Sequence, residues 1–172
     1  AVERIFHGNP SGIDNTVSAQ GGVLWYRKGP PIHIESLPTP DWGLVVLDTK
    51  TAGDTKQMVQ HVAENYKQLR PILDDIGALV CEARRVLHHA KDLGHLLSVN
   101  HSLLCQLGVS TEALNTLVSW SMKHGAYGAK LAGAGGGGVV IALTPSPGAF
   151  VAEAQQAGLS AFTTRVTETI WQ

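Results

Sequence analysis

The chain has 172 residues, of which 44% are hydrophobic and 16% are charged, with a formal net charge of −1. This composition allows a sizeable core and argues against wholesale disorder. No basic run could neutralise several phosphates, which disfavours nucleic acid as a partner. No apolar stretch approaches the roughly 20 residues that span a bilayer. The first residues lack the pattern of a secretory leader, so we expect a cytoplasmic protein without a membrane partner.

The first element predicted along the chain is a helix that begins at Asn9-Pro10-Ser11. Asn is a good N-cap, and Pro suits the first helical position because its missing N–H costs nothing there. This helix is expected to run to about Ala19 and to end before Gly21. Two strands, 22–27 and 32–36, follow around a Gly-Pro turn.

A Pro-bearing segment near residue 40 indicates a domain boundary, which divides the chain into residues 1–40 and 41–172. A short apolar strand at 43–49 comes next, and four amphipathic helices follow between about 54 and 124. Ser110 is the expected N-cap of the fourth helix. The pattern then predicts two strands around a glycine loop, a short helix and a last strand. The whole is α+β, a small antiparallel sheet with helices on one face.

Both cysteines, Cys81 and Cys105, fall within apolar helical patterns. We expect small buried side chains in a reducing compartment, with no support for a disulfide. The first residue is Ala, and a dense motif starts within ten residues of it. We therefore expect the chain to be part of a longer one.

Asp14 is the first candidate functional residue. If Asn9 caps the helix, Asp14 lies near the positive end of the helix dipole, which favours a negative charge. Gly12 in the same turn costs a helix on the order of 1 kcal/mol relative to Ala, and one reason to accept this is close approach of another group. An exposed carboxylate beside such a gap suits proton acceptance from a bound alcohol. The alternative is that Asp14 only complements the dipole.

The second candidate is the glycine loop "GAGGGG" at residues 133–138. Glycine adopts positive φ freely and leaves backbone N–H groups unobstructed, as phosphate-binding turns require. The order of a Walker loop is absent, and no βαβ unit supports a dinucleotide fingerprint. The alternative is a flexible turn beside a closely packed neighbour.

Taken together, four segments resemble the mevalonate kinases of the GHMP kinase superfamily, namely "ERIFHGNPSGIDNTVSAQGG", "LDTKTAGDTK", "NHSLLCQLGVS" and "HGAYGAKLAGAGGGG". The first and last are specific, and the four occur in the family's order and spacing. The resemblance implies that residues 41–172 form the family's C-terminal domain, with a ferredoxin-like antiparallel sheet. Residues 1–40 would be the end of its N-terminal domain.

The resemblance further implies phosphorylation of the C5 hydroxyl of mevalonate, with ATP and Mg²⁺ as cofactors. Asp14 takes the place of the family's proposed catalytic base, and Glu3 that of a Mg²⁺ ligand. By itself, Glu3 is one surface acid. The remaining positions implied are the nucleotide-binding residues Gly133, Ala134, Gly135, Gly136 and Gly137 and the substrate-binding residues Thr55 and His7.

Two features of the family do not occur in this chain. They are a phosphate-binding Pro-x-x-x-Gly-Leu-Gly-Ser-Ser run and the lysine expected to pair with Asp14. We expect both in a missing N-terminal half, without which the chain is inactive. Two alternatives stay open. One is another GHMP kinase, acting on phosphomevalonate or homoserine. The other is a non-catalytic module that dimerises or binds a small regulator, and a homodimer also fits exposed apolar surface.

Overall fold

A computed structural model of the chain describes residues 12–166. They fall into two compact units, with the division between Trp42 and Gly43. The first unit contains residues 12–42 together with the last described residues from Arg165, and the second unit contains Gly43–Thr164. The domain assignment made from the sequence, 1–40 and 41–172, stays a prediction.

The first unit consists of helix α1 (Ile13–Gln20) and strands β1 (Val23–Arg27) and β2 (His33–Leu37). The two strands pair antiparallel as a hairpin, which confirms the predicted strand pair. The predicted helix start at Asn9 and Pro10 lies outside the described residues.

Gly12 was expected inside a helical turn, and this is wrong. It lies directly before α1 with φ of 84°, a left-handed conformation that glycine adopts without strain. A Cβ at Gly12 would lie 3.1 Å from the Tyr26 hydroxyl. Backbone conformation and this close contact therefore account for the glycine, and the helix carries no cost from it.

The second unit holds a four-stranded sheet in the order β4-β5-β3-β6. Its strands are β3 (Gly43–Asp48), β4 (Gly128–Ala132), β5 (Val139–Leu143) and β6 (Ser160–Arg165). Strand β5 runs antiparallel to both β3 and β4. Between β3 and β4 come helices α2 (Thr55–Glu64), α3 (Tyr66–Arg85), α4 (Ala90–Gln106) and α5 (Glu112–Lys123), and α6 (Pro147–Gln156) precedes β6. The four predicted helices and the strand–loop–strand are confirmed.

The core of the second unit forms on one face of this sheet. Alternate strand residues such as Val45, Leu47 and Val140 are fully buried, whereas their neighbours are only partly covered. Helix α5 packs on β4 and β5, and α6 packs on β3. The main buried apolar side chains are Val45, Leu47, Leu114, Leu117, Val118, Ala129, Leu131, Val140, Ala142, Phe150, Ala154 and Ala161. The predicted α+β fold, a ferredoxin-like antiparallel sheet with helices on one face, is confirmed.

Helix α4 lies along the outer edge of β4. The Ala129 N–H donates to Ser98 Oγ at 3.3 Å, and the Leu131 N–H donates to His101 Nδ1 at 3.4 Å. Gly94 of α4 meets the start of β4 so closely that a Cβ on Gly128 would collide with the Gly94 backbone, and a Cβ on Gly94 would lie 2.6 Å from Tyr127 Cβ. The helix thus satisfies strand N–H groups that an edge strand would otherwise leave unpaired.

Two local predictions are wrong. Cys81 and Cys105 are free and exposed rather than buried, since α3, which carries Cys81, has no buried residue and Cys105 is not among the buried residues of α4. The N-cap of α5 is Thr111, which has extended backbone angles and accepts the Leu114 N–H on Oγ1 at 3.4 Å. The hydroxyl of Ser110 donates instead to Asn115 Oδ1 at 2.7 Å. Across residues 12–166, no helix combines the length and apolarity needed to cross a bilayer.

Candidate functional site

The glycine loop between β4 and β5 uses the conformations that only glycine adopts readily. Its five glycines have φ of 81° at Gly133, 90° at Gly135, 75° at Gly136, 149° at Gly137 and 84° at Gly138. Residues with a Cβ rarely adopt such angles. The high glycine content is therefore a requirement of the backbone itself.

The loop packs directly against the segment that follows β3. The Gly138 N–H donates to the Thr51 carbonyl at 2.7 Å, while the Gly138 carbonyl accepts from Thr49 N–H at 3.0 Å and Thr49 Oγ1 at 2.7 Å. A Cβ on Gly53 would lie 2.5 Å from the Gly135 carbonyl oxygen, and a Cβ on Gly137 would lie 2.6 Å from that of Thr51. The two backbones thus approach too closely to allow side chains between them.

A second contact holds the middle of the loop from the α4–α5 connection. The Gly136 N–H donates to the Val109 carbonyl at 2.9 Å. Gly135 lies so close to the same carbonyl that a Cβ would collide with it. The loop is therefore fixed on two sides, and in this respect the alternative of a turn beside a closely packed neighbour describes it well.

The loop nevertheless leaves several backbone donors available. The N–H groups of Gly133, Ala134, Gly135 and Gly137 make no hydrogen bond to any residue between 12 and 166. Gly135 and Gly137 are buried, and unpaired buried N–H groups are uncommon in proteins. An anion with several acceptor oxygens would satisfy such donors. On this chemistry the loop fits the phosphate groups of a nucleotide.

Thr55 is the first residue of α2, and the structure brings the start of this helix to the loop. Asp54 caps α2 by accepting the Gln57 N–H at 2.9 Å. A Cβ on Gly136 would lie 3.5 Å from the Asp54 nitrogen and 3.2 Å from Met58 Cγ. Thr55 therefore lies in the second unit near the loop, and its contact with a substrate stays a prediction.

The turn between β3 and α2 contains a strained residue that the sequence did not reveal. Lys50 has φ of 56°, the only positive value outside glycine in the described part of the chain. Its N–H donates to Asp48 Oδ1 at 2.8 Å, which stabilises the turn. Such conformations cost of order 1–3 kcal/mol and concentrate at functional sites. The strained turn directly precedes Thr51, which binds the glycine loop.

Asp14 belongs to the first unit, where it is the second residue of α1 and is exposed to solvent. A carboxylate in the first helical turn agrees with the predicted dipole position. The expectation that Asp14 and the glycine loop face one pocket stays a prediction. Glu3 and His7 lie outside the described residues.

The described residues do not by themselves fit a Mg²⁺ site. Residues 12–166 contain no group of three or more His, Cys, Asp or Glu side chains able to hold a metal ion. The predicted ligand Glu3 lies outside these residues, so the metal prediction rests on the resemblance.

His101, near the loop, is a functional candidate that sequence reasoning missed. Its ring accepts the Leu131 N–H on Nδ1 and donates through Nε2 to Asn115 Oδ1 at 3.1 Å, an arrangement that requires the neutral imidazole. Burial lowers the pKa of His101, the Asn115 bond opposes this, and the charge of Lys130 lowers it further. Burial also lowers the pKa of Lys130.

Comparison with known proteins identifies the class. Residues 78–161 match the family described as GHMP kinases C terminal. The match assigns residues 78–161, which run from α3 into β6, to this family. Within it, the chain is 45% identical to a mevalonate kinase of Thermococcus sibiricus, covering 89% of this chain and 48% of the relative. It is 41% identical to a mevalonate kinase of Pyrococcus abyssi, covering 97% of this chain and 52% of the relative.

A solved structure shows a likeness in three dimensions over nearly the whole chain. The mevalonate kinase of L. major, crystallised with R-mevalonate, superposes with a TM-score of 0.83 at 28% identity, over 95% of this chain and 55% of that one. The chain is thus a mevalonate kinase-like GHMP kinase sequence. It spans about half the length of the curated relatives it matches.

Proposed function

We propose that this chain forms the C-terminal part of an ATP-dependent kinase that phosphorylates the C5 hydroxyl of mevalonate in isoprenoid precursor synthesis. The observation that carries the proposal is the glycine loop. It is rigidly held, yet it leaves unpaired N–H groups, in a chain whose relatives at 41–45% identity are named mevalonate kinases. Phosphoryl transfer depends mainly on positioning and charge stabilisation, which such a loop supplies.

In this proposal the loop from Gly133 to Gly137 binds the nucleotide phosphates. Its free N–H groups donate to phosphate oxygens, and the absence of Cβ atoms lets the backbone approach them closely. Because the loop is held by Thr51 and Val109, its donors are positioned before the nucleotide binds. Donors fixed in advance stabilise developing charge without reorganisation during the reaction.

Asp14 is proposed to orient the acceptor alcohol and to take its proton as the phosphoryl group is transferred. Its exposure in the first turn of α1 supports this role, since a substrate hydroxyl has access to it. Thr55 and His7 are proposed to contact mevalonate. Mg²⁺, which would neutralise phosphate charge when bound, is proposed through Glu3.

The nucleotide site of this enzyme requires residues that the chain does not contain. We propose that the full-length protein carries the Gly-Leu-Gly-Ser-Ser phosphate-binding run and the lysine that pairs with Asp14. The chain alone would then be inactive, because one side of the nucleotide site is lacking.

The test is a substrate panel on the full-length protein. With ATP and Mg²⁺ present, we expect turnover of mevalonate at roughly 1–100 s⁻¹ and much slower reaction with phosphomevalonate and homoserine. A strong preference for phosphomevalonate or homoserine would show that mevalonate is not the acceptor. The isolated chain, assayed in parallel, should show no turnover. A rate in the kinase range would refute the proposal that activity requires a missing N-terminal half.

Homodimer formation is a further part of the proposal. Exposed apolar side chains on α2 and α3 support it, with Val59 57%, Tyr66 49% and Val80 47% exposed. Analytical ultracentrifugation of the full-length protein tests it. A stable monomer across the micromolar range would rule out the homodimer. It would also rule out the alternative that the chain is a non-catalytic module that dimerises.

A further inference from the structure

His101 occupies a point where three elements of the second unit meet. It lies on α4, accepts the buried Leu131 N–H of β4 and donates to Asn115 of α5. The residue is only 7% exposed. An imidazole is suited to this position because it offers one acceptor and one donor on opposite sides of a rigid ring.

Two hydrogen bonds of His101, to Leu131 and to Asn115, lead to the glycine loop, and Cys105 Sγ of the same helix also lies 3.6 Å from its Nε2. Leu131 lies two residues before Gly133, so its hydrogen bond holds the strand that enters the loop. Asn115 Oδ1 also accepts the Ser110 hydroxyl at 2.7 Å. Ser110 directly follows Val109, whose carbonyl accepts the Gly136 N–H. One histidine therefore connects the start of the loop with the segment that holds its middle.

We propose that His101 is a positioning residue for the glycine loop, oriented by Asn115 and acting through Leu131 and Val109. It touches neither nucleotide nor acceptor alcohol. Its effect is to keep the free N–H groups of the loop aimed in one direction, so that a nucleotide phosphate meets donors already in place. This inference rests on the proposed phosphate-binding role of the loop.

The physical reason is the cost of leaving a buried donor unpaired. Without the ring nitrogen, the Leu131 N–H loses its acceptor in the interior, and β4 gains by shifting towards another partner or water. A shift of this strand moves Gly133, because the loop continues directly from it. Asn115 is exposed, so water replaces its oxygen at a smaller cost.

The experiment replaces His101 in the full-length protein by Phe and by Gln. Phe has a similar size but neither accepts the Leu131 N–H nor donates to Asn115, whereas the Gln amide does both. His124→Phe is the matched control. His124 lies beyond the other end of α5, where its ring stacks on Trp120 at 3.9 Å, away from the loop.

Two readouts separate positioning from simple stability. We expect His101→Phe to raise the KM for ATP about tenfold and to leave the KM for mevalonate unchanged. His101→Gln should have a KM for ATP close to that of the parent protein. Amide hydrogen exchange of the nucleotide-free protein should become about tenfold faster at Leu131 and Gly136. Exchange at Val140 in β5 should not change, and neither readout should respond to His124→Phe.

If His101→Phe does not fold, Asn115→Ala provides the second variant, because the position is exposed. It removes the Asn115 oxygen from Nε2 of His101 and leaves the Cys105 sulfur at 3.6 Å. We therefore expect a smaller change in the same direction, about threefold in both readouts. A lower melting temperature with unaltered ATP KM and loop exchange would overturn the inference. Faster loop exchange in a protein without kinase activity would instead uphold the positioning role and refute the proposed function.

Discussion

The two units of the chain differ in how fully each buries its own apolar residues. In the first, α1 has no buried residue, and Ile13, Val17 and Ile34 are each exposed by 39% or more. In the second, Leu47, Leu114 and Leu131 are completely buried in a continuous core. A two-stranded hairpin that buries so little apolar surface is marginally stable at best, whereas a four-stranded sheet covered by helices is a complete folding unit.

This difference bears on the two candidate functional elements. The glycine loop is held by contacts within the second unit, so its geometry is determined by residues 43–164. Asp14 is carried by the unit that buries little of its own surface. The comparison therefore predicts that the proposed nucleotide-binding loop forms on its own, and that the placement of the proposed base depends on further packing.

The most drastic test divides the chain between the units. We expect a chain of residues 43–166 to unfold cooperatively and to give dispersed NMR amide signals, because its core is complete. A peptide of residues 12–42 should show neither. Circular dichroism and NMR check both. An ordered peptide, or an unfolded 43–166 chain, would contradict the comparison.

The next largest effect is expected for Asp14→Asn in the full-length protein. Loss of the proposed proton acceptor should lower kcat by about 10²- to 10⁴-fold, while ATP affinity changes little. Steady-state kinetics and nucleotide titration measure the two quantities. Asp41→Asn, an exposed carboxylate in the same unit, is the control and should behave as the parent. An equal loss of ATP binding would contradict the assignment of Asp14.

A smaller effect is expected from Gly135→Ala in the second unit. The new Cβ meets the Val109 carbonyl at a φ of 90°, so the free energy of unfolding should fall by about 3 kcal/mol. Denaturant titration measures it. At Gly133 the φ is 81°, but no atom lies within 4 Å of a new Cβ. Gly133→Ala should therefore lower the free energy of unfolding by only about 1–2 kcal/mol.

Gly77→Ala in α3 is the control for chain stiffening in these glycine substitutions. A Cβ at this position meets no other atom, and the backbone has no positive φ, so the substitution should raise the free energy of unfolding by about 1 kcal/mol. Equal losses at Gly135 and Gly133 would show that the contact with Val109 has no energetic role.

The smallest effect concerns pH. The pKa of His101 is lowered in the folded protein from 6.5, so the unfolded chain binds its proton more readily. Stability should therefore fall as the pH drops from about 6.5 towards the folded pKa, by at most about 1.4 kcal/mol per pH unit. Urea unfolding between pH 7.5 and 5 measures the slope, which should be shallower in His101→Gln. Identical slopes would show that His101 does not titrate in this window.

Local patterns predicted much of the fold and part of the site. The helices and strands were found because apolar spacing reports the period of each element. The glycine loop was found because positive φ is a property of the residue type itself. Predictions of which helical side chains are buried were less reliable. Cys81 and Cys105 are exposed although both lie in apolar helical patterns.

The partners of the loop could not be predicted in this way. Val109 and Thr51 hold it through backbone carbonyls, and every residue type has a carbonyl. The amino-acid sequence therefore does not distinguish these two carbonyls from any others. His101 was likewise an ordinary residue of a helix until the fold brought Leu131 to one ring nitrogen and Asn115 to the other.

The sequence by itself thus determined the order of elements, the apolar face of the sheet and the backbone freedom of the loop, because these follow from side-chain volume, polarity and allowed dihedral angles. Only the tertiary structure decided which carbonyls hold the loop, which of its N–H groups stay unpaired and which histidine braces it. Those features depend on contacts between residues far apart in the chain, and such contacts leave no local pattern.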